Sequence, residues 1–217
     1  MDGSRVVVVI PALNEALEIG RVILSVVPYA EVIVVDDGSS DDTALIAKNA
    51  GAFMVVHNRR MGYDAAIESG LFRSIELGFD FAITMDGDGQ HIPEKIKIFK
   101  QKLTGGADLV IGVRDKHQRY AEVIFSLVGK YFWGINDPLC GMKGYRLKLL
   151  SELGYFDSYK SIGTEYAIRS AKLGYIIEQV PLETRERRGT SRFGTGLGAN
   201  WKILKALAFG IWKLRKI

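Results

Sequence analysis

The chain of 217 residues contains one cysteine, Cys140, and five prolines. A single cysteine excludes a disulfide framework and a multi-cysteine zinc site, and it is typical of a protein from a reducing compartment. No apolar run approaches the roughly 20 residues that cross a bilayer, and Val6–Ile10 is too short for a signal peptide. We therefore expect a protein that does not cross a membrane on its own.

Acidic residues are nearly absent from the C-terminal end. From Arg185 to Ile217 there are nine Lys and Arg against one acid, a net charge of +8, whereas residues 1–184 carry a net charge of −4. The overall charge of +4 is therefore the sum of a mildly acidic body and a strongly basic C-terminal end. The composition, 47% hydrophobic and 25% charged, is that of a globular protein and excludes a disordered or fibrous chain.

Short runs rich in β-branched residues alternate with helical patterns, and such near-continuous apolar runs are typical of strands buried on both faces of a parallel sheet. We predict strands over or near Val6–Ile10, Val32–Val35, Phe53–Val56, Phe81–Met85, Leu109–Val113 and Ile176–Pro181. We predict helices that begin near Glu15, at Thr43 and after Glu94, or that cover Gly62–Leu77, Tyr120–Ile135 and Thr164–Leu173. The alternation indicates an α/β domain over residues 1–198, with a mostly parallel central sheet flanked by helices, and a basic C-terminal helix over residues 199–217.

Two of the predicted strands end in carboxylates. Asp36 and Asp37 follow the second strand, and Asp86 and Asp88 follow the fourth. In open α/β sheets, ligands bind outside the carboxyl ends of the strands. Hard oxygen ligands on one tight turn favour Mg²⁺ or Mn²⁺, which completes its shell with water and substrate phosphates. The pattern predicts a metal-assisted nucleotide-diphosphate site; the alternative is that the Asp-Gly repeats are plain surface turns.

Three segments, in this order, resemble the successive signatures of family 2 glycosyltransferases with the GT-A fold. They are Pro11–Glu15, Val34–Asp41 and Met85–His91. The Gln-His pair after the second aspartate is most similar to the branch of dolichyl-phosphate mannose synthases and related polyprenyl-phosphate glycosyltransferases. The resemblance continues through Asn136–Arg146 and ends at Arg187–Arg192, so it spans nearly the whole chain.

The resemblance implies a role for each matching residue. Those that it assigns to the nucleotide are Pro11, Leu13, Glu15, Asp37, which would hydrogen-bond the base, and Asp86. Those that it assigns to the metal are Asp86, Asp88 and Gln90. Those that it assigns to phosphate and to the acceptor are Arg114, Arg187, Arg188, Ser191 and Arg192. The sequence departs from the family's pattern at Met61–Tyr63, where Gly-Lys-Gly is usual, and at Cys140–Met142, where Ser-Gly-Phe is usual.

The expected chemistry is displacement of a diphosphate from the anomeric carbon of a sugar. A Mg²⁺ or Mn²⁺ ion on Asp88, helped by Arg or Lys, would stabilise charge on the leaving group. A polyprenyl phosphate, with a second pKa of about 6, is largely ionised at neutral pH and needs no strong base, whereas an alcohol acceptor needs one. Asp137 and Glu165 are the candidates for a base or an acceptor-side role. The resemblance implies inversion by one direct displacement.

Two residues near these motifs have a plainer interpretation. Cys140 is expected to be a small packing residue, because no histidine lies close to it in the sequence. His91 follows the second aspartate, and we expect it beside the metal site or exposed to solvent, not as a metal ligand.

Residues 199–217 predict a helix in which Trp, Phe, Ile and Leu alternate with five bases and no acid. This is the composition of an interfacial helix on an anionic membrane surface. The alternative is a helix that packs on the body or on another subunit, and a membrane-anchoring subunit is a further candidate partner. Nucleic acid is disfavoured, because the expected pocket is acidic and no nucleic-acid-binding motif is present.

The sequence therefore predicts an inverting, metal-dependent glycosyltransferase. It would move a hexose, with mannose favoured, from GDP-mannose or a UDP-sugar to a polyprenyl (dolichyl) phosphate, on the cytoplasmic face of a membrane. One alternative is a family member that uses UDP-glucose or UDP-N-acetylglucosamine, a saccharide acceptor, or both. Another is a non-catalytic nucleotide-sugar-binding or membrane-scaffold subunit. A dinucleotide-binding dehydrogenase is disfavoured, because no Gly-rich turn follows the first strand.

Overall fold

The structure is a computed structural model that describes residues 3–116, 119–154, 156, 163–183, 200, 201, 203–205, 207 and 208. Over these residues the strands form one seven-stranded sheet. The strands are β1 (Val6–Ala12), β2 (Glu31–Asp36), β3 (Phe53–Val56), β4 (Phe81–Thr84), β5 (Leu109–Arg114), β6 (Lys143–Arg146) and β7 (Ile177–Leu182). The helices are α1 (Ile19–Val26), α2 (Thr43–Asn49), α3 (Tyr63–Glu76), α4 (Lys95–Thr104), α5 (Tyr120–Trp133), α6 (Leu147–Leu153) and α7 (Thr164–Lys172).

The strand order across the sheet is β3-β2-β1-β4-β6-β5-β7. Paired neighbours run parallel, except that β6 is antiparallel to both β4 and β5. The carboxyl ends of β1, β2, β4 and β5 therefore lie at the same edge of the sheet, where ligands bind in open α/β folds. The prediction of a mostly parallel sheet flanked by helices is confirmed.

The sheet separates two apolar clusters, because successive side chains of a strand point to opposite faces. In β1, Val8 and Ile10 belong to the cluster that includes residues of α1 and α4. Val7 and Val9 belong to the cluster that includes residues of α3, α6 and α7. All seven residues of β1 are buried. This double burial explains why the strand sequence is continuously apolar and does not alternate.

Helix α3 lies directly on β1, and Gly70 permits the close approach. A Cβ atom at Gly70 would lie 2.3 Å from Cγ1 of Val9 and 3.0 Å from Cγ2 of Val35. Only a residue without a side chain fits between the helix and the sheet at this point. The packing places Tyr63, the first residue of α3, at the carboxyl edge of the sheet.

The segment after α5 corrects the predicted element list. Strand β6 and helix α6 were not predicted, because Lys143–Arg146 has no apolar run and its strand exists through pairing with β4 and β5 on both sides. Helix α1 begins at Ile19 and not near Glu15. The Glu15 N–H donates to Oγ1 of Thr43 at 2.8 Å, so this residue belongs to the loop between β1 and α1 and contacts the first residue of α2.

The described residues of the C-terminal helix contact the body. Leu207 is buried in a small apolar cluster with Phe125 of α5 and Leu139, and Ile203 packs against the same cluster. Most of the predicted helix 199–217, including residue 199 and residues 209–217, lies outside the described residues. No helix in the described part of the chain is long and apolar enough to cross a membrane.

Candidate active site

The loops that follow β1 and β2 are tied together at the carboxyl edge of the sheet. The Asn14 N–H donates to Oγ of Ser39 at 2.9 Å, and Oδ1 of Asn14 accepts from the Ser40 N–H at 2.9 Å. Asn14 itself has a positive φ of 53°, a left-handed conformation that Asn tolerates better than most residues. The loop therefore turns sharply after β1 and brings residues 13–15 beside the end of β2.

The residues expected around the nucleotide are close to one another on this edge. Pro11 is buried within β1, and Leu13 and Glu15 are half-buried in the loop after it. Pro11 pairs with Val35 in the sheet, one residue before the carboxylates of β2 begin. The structure thus brings the predicted nucleotide residues of β1 beside Asp37, and their contact with a nucleotide stays a prediction.

Asp37 holds the segment that leads into α3. Its Oδ1 accepts from the Met61 N–H and pairs with Nδ1 of His57, each at 2.8 Å, and its Oδ2 accepts from the Gly62 N–H at 2.8 Å. Gly62 has a φ of 103°, a conformation that favours glycine. This structural role was not expected, and the hydrogen bond from Asp37 to the base stays a prediction beside it.

His57 links Asp37 to Ser69, in an arrangement with the distances of a Ser-His-Asp triad. Nε2 of His57 lies 3.0 Å from Oγ of Ser69. Ser69 is an internal residue of α3, where backbone N–H groups are taken up by the helix itself. An acyl-transfer site needs free N–H donors beside the nucleophile, so this chain of contacts is assigned to positioning of residues 57–62.

The Asp86 carboxylate is oriented from two sides. Its Oδ1 accepts from the Tyr63 hydroxyl at 2.8 Å, and its Oδ2 lies 3.1 Å from Nε2 of His91. Burial acts to raise the pKa of Asp86, but the hydrogen bonds and charge of His91, with Tyr63 and Arg114, lower it below its ordinary value. Burial and the charge of Asp86 raise the pKa of Tyr63 well above its ordinary value. Asp86 is therefore an anion at neutral pH, and Tyr63 remains a hydroxyl donor.

Neither Tyr63 nor the contact of His91 was assigned from the sequence. Tyr63 lies within Met61–Tyr63, where the sequence departs from the expected family pattern, and this departure was the signal that could have identified it. His91 is buried, so of its two expected placements the structure excludes exposure to solvent. The structure adds that its partner there is Asp86.

Asp88 and Gln90 form a tight turn two residues after Asp86. Oδ1 of Asp88 accepts from the Gln90 N–H at 3.0 Å, and both side chains are partly exposed. Carboxylate and amide oxygens on one turn are suitable ligands for Mg²⁺ or Mn²⁺. No group of three or more His, Cys, Asp or Glu side chains within the described ranges is arranged to hold an ion.

Gly141 closes this part of the site from the other side. A Cβ atom at Gly141 would lie 2.7 Å from Oδ2 of Asp86. The loop is fixed by Thr84 at the end of β4, whose hydroxyl donates to the Gly141 carbonyl at 2.7 Å. The Gly141 backbone can therefore pass the carboxylate only because it carries no side chain.

Arg114, at the end of β5, is held by two buried carboxylates. Its Nε and one terminal nitrogen donate to the two oxygens of Asp137 at 2.7 and 2.9 Å, and the other terminal nitrogen lies 3.3 Å from Glu122. Glu122 also pairs with Arg119 at 3.0 Å. Burial acts to lower the pKa of Arg114, but the bonds to Asp137 and its charge raise it, so the guanidinium stays charged.

This geometry does not favour the general-base role considered for Asp137. Its side chain is fully buried, and both of its oxygens accept hydrogen bonds from Arg114. Asp137 is better described as the residue that positions Arg114. Glu122, which the sequence did not single out, contributes to the same task from the first turn of α5.

The segment from Asp137 to Lys143 contacts Arg114 through Asp137 and lies against the Asp86 carboxylate at Gly141. Nζ of Lys143, a buried lysine that the sequence did not single out, donates to the Cys140 carbonyl at 2.5 Å. Burial and the charge of Asp137 raise the pKa of the Cys140 thiol to about 12. Cys140 is thus a neutral buried thiol, and its prediction as a packing residue is confirmed.

Glu165 is buried in the first turn of α7. The neighbouring hydroxyl of Thr164 donates to the Pro138 carbonyl at 3.3 Å, so α7 starts against the loop that contains Asp137. The acceptor-side role of Glu165 stays a prediction. The remaining predicted site residues, Arg187, Arg188, Ser191 and Arg192, lie outside the described residues.

Comparison with known proteins assigns the chain to a glycosyltransferase family. A family model described as glycosyl transferase family 2 matches residues 7–154. The chain is 28% identical to a UDP-N-acetylglucosamine–dolichyl-phosphate N-acetylglucosaminyltransferase of Methanococcus voltae, over 95% of this chain and 96% of that protein. It is 27% identical to a polyprenol monophosphomannose synthase of Mycolicibacterium smegmatis, over 96% and 88% of the two chains.

A solved structure with the same fold contains a metal ion and two bound compounds. It is glucosyl-3-phosphoglycerate synthase from Mycobacterium tuberculosis in complex with Mn²⁺, UDP-glucose and phosphoglyceric acid, with a TM-score of 0.74 and 26% identity. The match covers 96% of this chain and 80% of that one. The expected GT-A fold is confirmed by such structural neighbours.

Proposed function

Because the chain belongs to glycosyl transferase family 2, we propose that it moves a hexose, with mannose favoured, from a nucleotide-diphosphate sugar to a polyprenyl phosphate. The observation that carries the proposal is the turn of Asp86 and Asp88 beside the fixed guanidinium of Arg114, at one edge of the sheet. An acidic turn that suits a cation, with a permanent cation at the same edge of the sheet, fits a reaction between two phosphate compounds. The names of the two sequence relatives support a lipid phosphate as the acceptor.

Asp86, Asp88 and Gln90 are the residues that would hold Mg²⁺ or Mn²⁺. When bound, such an ion supplies stabilisation of the negative charge on the leaving diphosphate. The protein's own contribution is preorganisation: Tyr63 and His91 fix the orientation of the Asp86 carboxylate before substrate arrives. A site that needs no reorganisation at the moment of reaction stabilises the transition state more than the ground state.

Arg114 is proposed to neutralise phosphate on the acceptor side. Its bonds to Asp137 and Glu122 fix the guanidinium in one orientation, so little side-chain entropy is lost when an anion binds. An ionised acceptor phosphate can attack the anomeric carbon without a general base. Asp137 therefore serves the reaction by holding Arg114, and displacement proceeds with inversion.

The donor is proposed to be GDP-mannose, with UDP-sugars as the alternative. The relatives' names support both choices, since one names mannose and the other UDP-N-acetylglucosamine. Thermal unfolding of the protein with each of GDP-mannose, UDP-glucose and UDP-N-acetylglucosamine, plus Mg²⁺ or Mn²⁺, distinguishes them. A ligand that binds only the native state raises its apparent stability by mass action.

The test of the function is transfer of labelled sugar to polyprenyl phosphate by the wild type and by Asp88→Asn. We expect the substitution to lower the rate at least about a hundredfold, and chelation of divalent cations to abolish transfer. Asp42→Asn is the matched control, because Asp42 is an exposed aspartate that makes no capping bond at the start of α2. A folded Asp88→Asn protein with the wild-type rate would refute the assigned role of this turn.

A soluble acceptor is the second candidate, favoured by one observation. The neighbour from Mycobacterium tuberculosis is bound to phosphoglyceric acid, a small phosphorylated acid. Parallel assays with polyprenyl phosphate, phosphoglyceric acid and a saccharide distinguish the acceptor classes. Transfer to phosphoglyceric acid or to a saccharide, with none to polyprenyl phosphate, would replace the lipid by the soluble compound.

We propose that the protein works as a peripheral protein on the cytoplasmic face of a membrane. The bases of residues 199–217 support this placement, because each base near an anionic leaflet contributes about 1 kcal/mol of attraction. A membrane-anchoring subunit is the alternative partner for the same helix. Fractionation of cells into soluble and membrane pools, with and without a high-salt wash, tests the placement.

A further inference from the structure

The loop that precedes β6 is held in place by its backbone hydrogen bonds. The Cys140 N–H donates to the Asp137 carbonyl at 3.2 Å, and the Met142 N–H donates to the sulfur of Cys140. The Met142 carbonyl accepts from the Gly112 N–H at 3.0 Å. These bonds fix the loop on both sides of Gly141.

Two buried side chains hold the remaining carbonyl groups of this loop. Nζ of Lys143 donates to the Cys140 carbonyl at 2.5 Å, and the Thr84 hydroxyl donates to the Gly141 carbonyl at 2.7 Å. Lys143 and Thr84 are both 1% exposed. Within the described residues, the Gly141 N–H is the one backbone group of residues 140–142 without a hydrogen-bond partner. Since backbone groups of folded chains are generally paired, this open donor in a fixed loop is available to a ligand.

Lys143 fixes the direction of the Gly141 N–H. The peptide between Cys140 and Gly141 is trans, and the C=O and N–H of a planar trans peptide point in opposite directions. Because the Cys140 carbonyl points to the buried Nζ of Lys143, the Gly141 N–H points away from this buried side chain. Gly141 is partly exposed, so a bound molecule can reach the donor.

A carboxylate oxygen lies beside the open donor. Oδ2 of Asp86 would lie 2.7 Å from a Cβ atom at Gly141. A donor and an acceptor side by side suit a group that both accepts and donates, which is the property of a hydroxyl. A phosphate oxygen at neutral pH mainly accepts, and the charge of Asp86 repels it unless a cation lies between them. The pair therefore favours a hydroxyl as its ligand.

The place of Gly141 in the site fits the transferred sugar. In a direct displacement, the sugar lies between the leaving diphosphate and the attacking phosphate. The proposed function puts the diphosphate at the turn of Asp86 and Asp88 and the acceptor phosphate at Arg114. The loop reaches both, since it touches Asp86 at Gly141 and Arg114 through Asp137. A hexose between the two phosphates would thus lie along this loop.

We propose that the Gly141 N–H donates a hydrogen bond to a hydroxyl of the transferred hexose, and that Lys143 is the residue that positions this donor. The inference rests on the proposed function, which supplies the sugar. A donor that is fixed before the substrate binds needs no reorganisation during the reaction. Lys143 itself touches no substrate and acts through the peptide between Cys140 and Gly141.

The single cysteine of the chain makes the Gly141 N–H observable by itself. Protein labelled with ¹³C at the cysteine carbonyl and with ¹⁵N in glycine contains one doubly labelled peptide, because Cys140 is the only cysteine. Its NMR signal is recorded with Mg²⁺ and GDP, UDP, GDP-mannose, UDP-glucose or UDP-N-acetylglucosamine. We expect a downfield shift of the Gly141 proton with the nucleotide sugar that binds, and none with the matching nucleotide diphosphate.

Lys143→Met tests the positioning role, because methionine has a similar length but no donor for the Cys140 carbonyl. We expect the affinity for the nucleotide sugar to fall at least about tenfold and that for the nucleotide diphosphate to stay within about twofold. Arg146→Met is the matched control. Arg146 is also a long basic residue of β6 that donates to a backbone carbonyl, that of Ala107 at 3.2 Å, at the opposite end of the strand. Calorimetric titration with Mg²⁺ measures both variants.

Binding of a nucleotide sugar without a shift of the Gly141 signal would overturn the inference. An equal shift with the nucleotide diphosphate alone would also overturn it, since a hydroxyl of the ribose would then be the partner. Wild-type affinities in Lys143→Met would refute the positioning role. If this variant does not unfold cooperatively, the spectrum of the wild type still decides the contact of Gly141.

Failure of the proposed function gives a different result. If the wild type binds none of the nucleotide sugars, the proposed donor class is refuted and the inference falls with it. Transfer to a soluble acceptor in place of polyprenyl phosphate would change the proposed function and leave the contact of Gly141 standing.

Discussion

At the scale of single residues, Asp37 and Asp137 have structural roles that their sequence motifs did not predict. Asp37 was expected to hydrogen-bond the nucleotide base, and in the structure its oxygens accept from Met61, Gly62 and His57 and hold the chain that enters α3. Asp137 was a candidate base, yet it is buried against Arg114. A buried carboxylate needs hydrogen-bond donors or a cation around it, and in both cases the fold supplies them from distant parts of the chain.

Replacement of Asp37 tests this structural role. Asp37→Ala leaves the Met61 and Gly62 N–H groups without their acceptor, so we expect it to lower the free energy of unfolding by about 3 kcal/mol. Asp42→Ala, at an exposed aspartate in the same loop, should change it by less than about 1 kcal/mol. Urea denaturation of both variants measures the difference. A loss no larger for Asp37→Ala than for the control would contradict the role.

At the scale of helices and strands, the geometry of the candidate site depends on the position of β6 in the sheet and on the packing of α3 against β1. Strand β6 was not predicted from its sequence, but it lies between β4 and β5 and is paired with both. Its position carries the loop of Cys140 and Gly141 between Asp86 and Asp137. Helix α3 reaches the same edge because Gly70 lets it lie on β1.

Gly70→Ala is a test of that close packing. Alanine normally stabilises a helix interior by about 1 kcal/mol relative to glycine, but here its methyl group would overlap Val9. We expect a net loss of about 1–3 kcal/mol in the free energy of unfolding. Gly20→Ala on α1 is the control, because its Cβ would meet only the end of the Ile46 side chain, at 3.1 Å. Equal unfolding midpoints of the two variants in thermal denaturation would show that α3 can move away without cost.

At the scale of the whole molecule, acidic and basic residues are concentrated in different parts of the chain. The body carries the acidic turn at the sheet edge, and the basic residues are concentrated at the C-terminal end, of which Ile203 and Leu207 pack in a cluster with Phe125 of α5. The acidic turn and the C-terminal bases are thus separated along the chain.

Neutralisation of the C-terminal end tests this division of charge. Replacement of Lys213, Arg215 and Lys216 by Gln should weaken binding to anionic vesicles about a hundredfold in low salt, at about 1 kcal/mol for each base. Replacement of Lys48, Lys97 and Lys100, exposed lysines of α2 and α4, should have little effect. Sedimentation with vesicles at increasing NaCl measures both, and the wild type should lose binding as salt screens the attraction. Equal losses in the two triple variants would indicate a response to net charge alone.

Six of the seven described strands, the acidic turns after two of them and the family could be predicted from the sequence, because local sequence patterns indicate them. Apolar runs that are buried on both faces must be continuous, and carboxylates after such strands must meet at one edge of a parallel sheet. These properties hold whatever the detailed packing is. They were sufficient to identify Asp86 and Asp88 as candidates, whereas Arg114 was identified through the resemblance to the family.

Contacts between distant segments could not be predicted from the sequence. The bonds of Tyr63 and His91 to Asp86, of Glu122 to Arg114 and of Asp37 to residues 57–62 join side chains and backbone groups that no periodic pattern relates. The exposure of one side of α5 could not be predicted either, since an apolar helix looks the same in sequence whether one side or both sides are covered. Which apolar surface is left open depends on how many neighbours the fold provides, and that is a property of the assembled molecule.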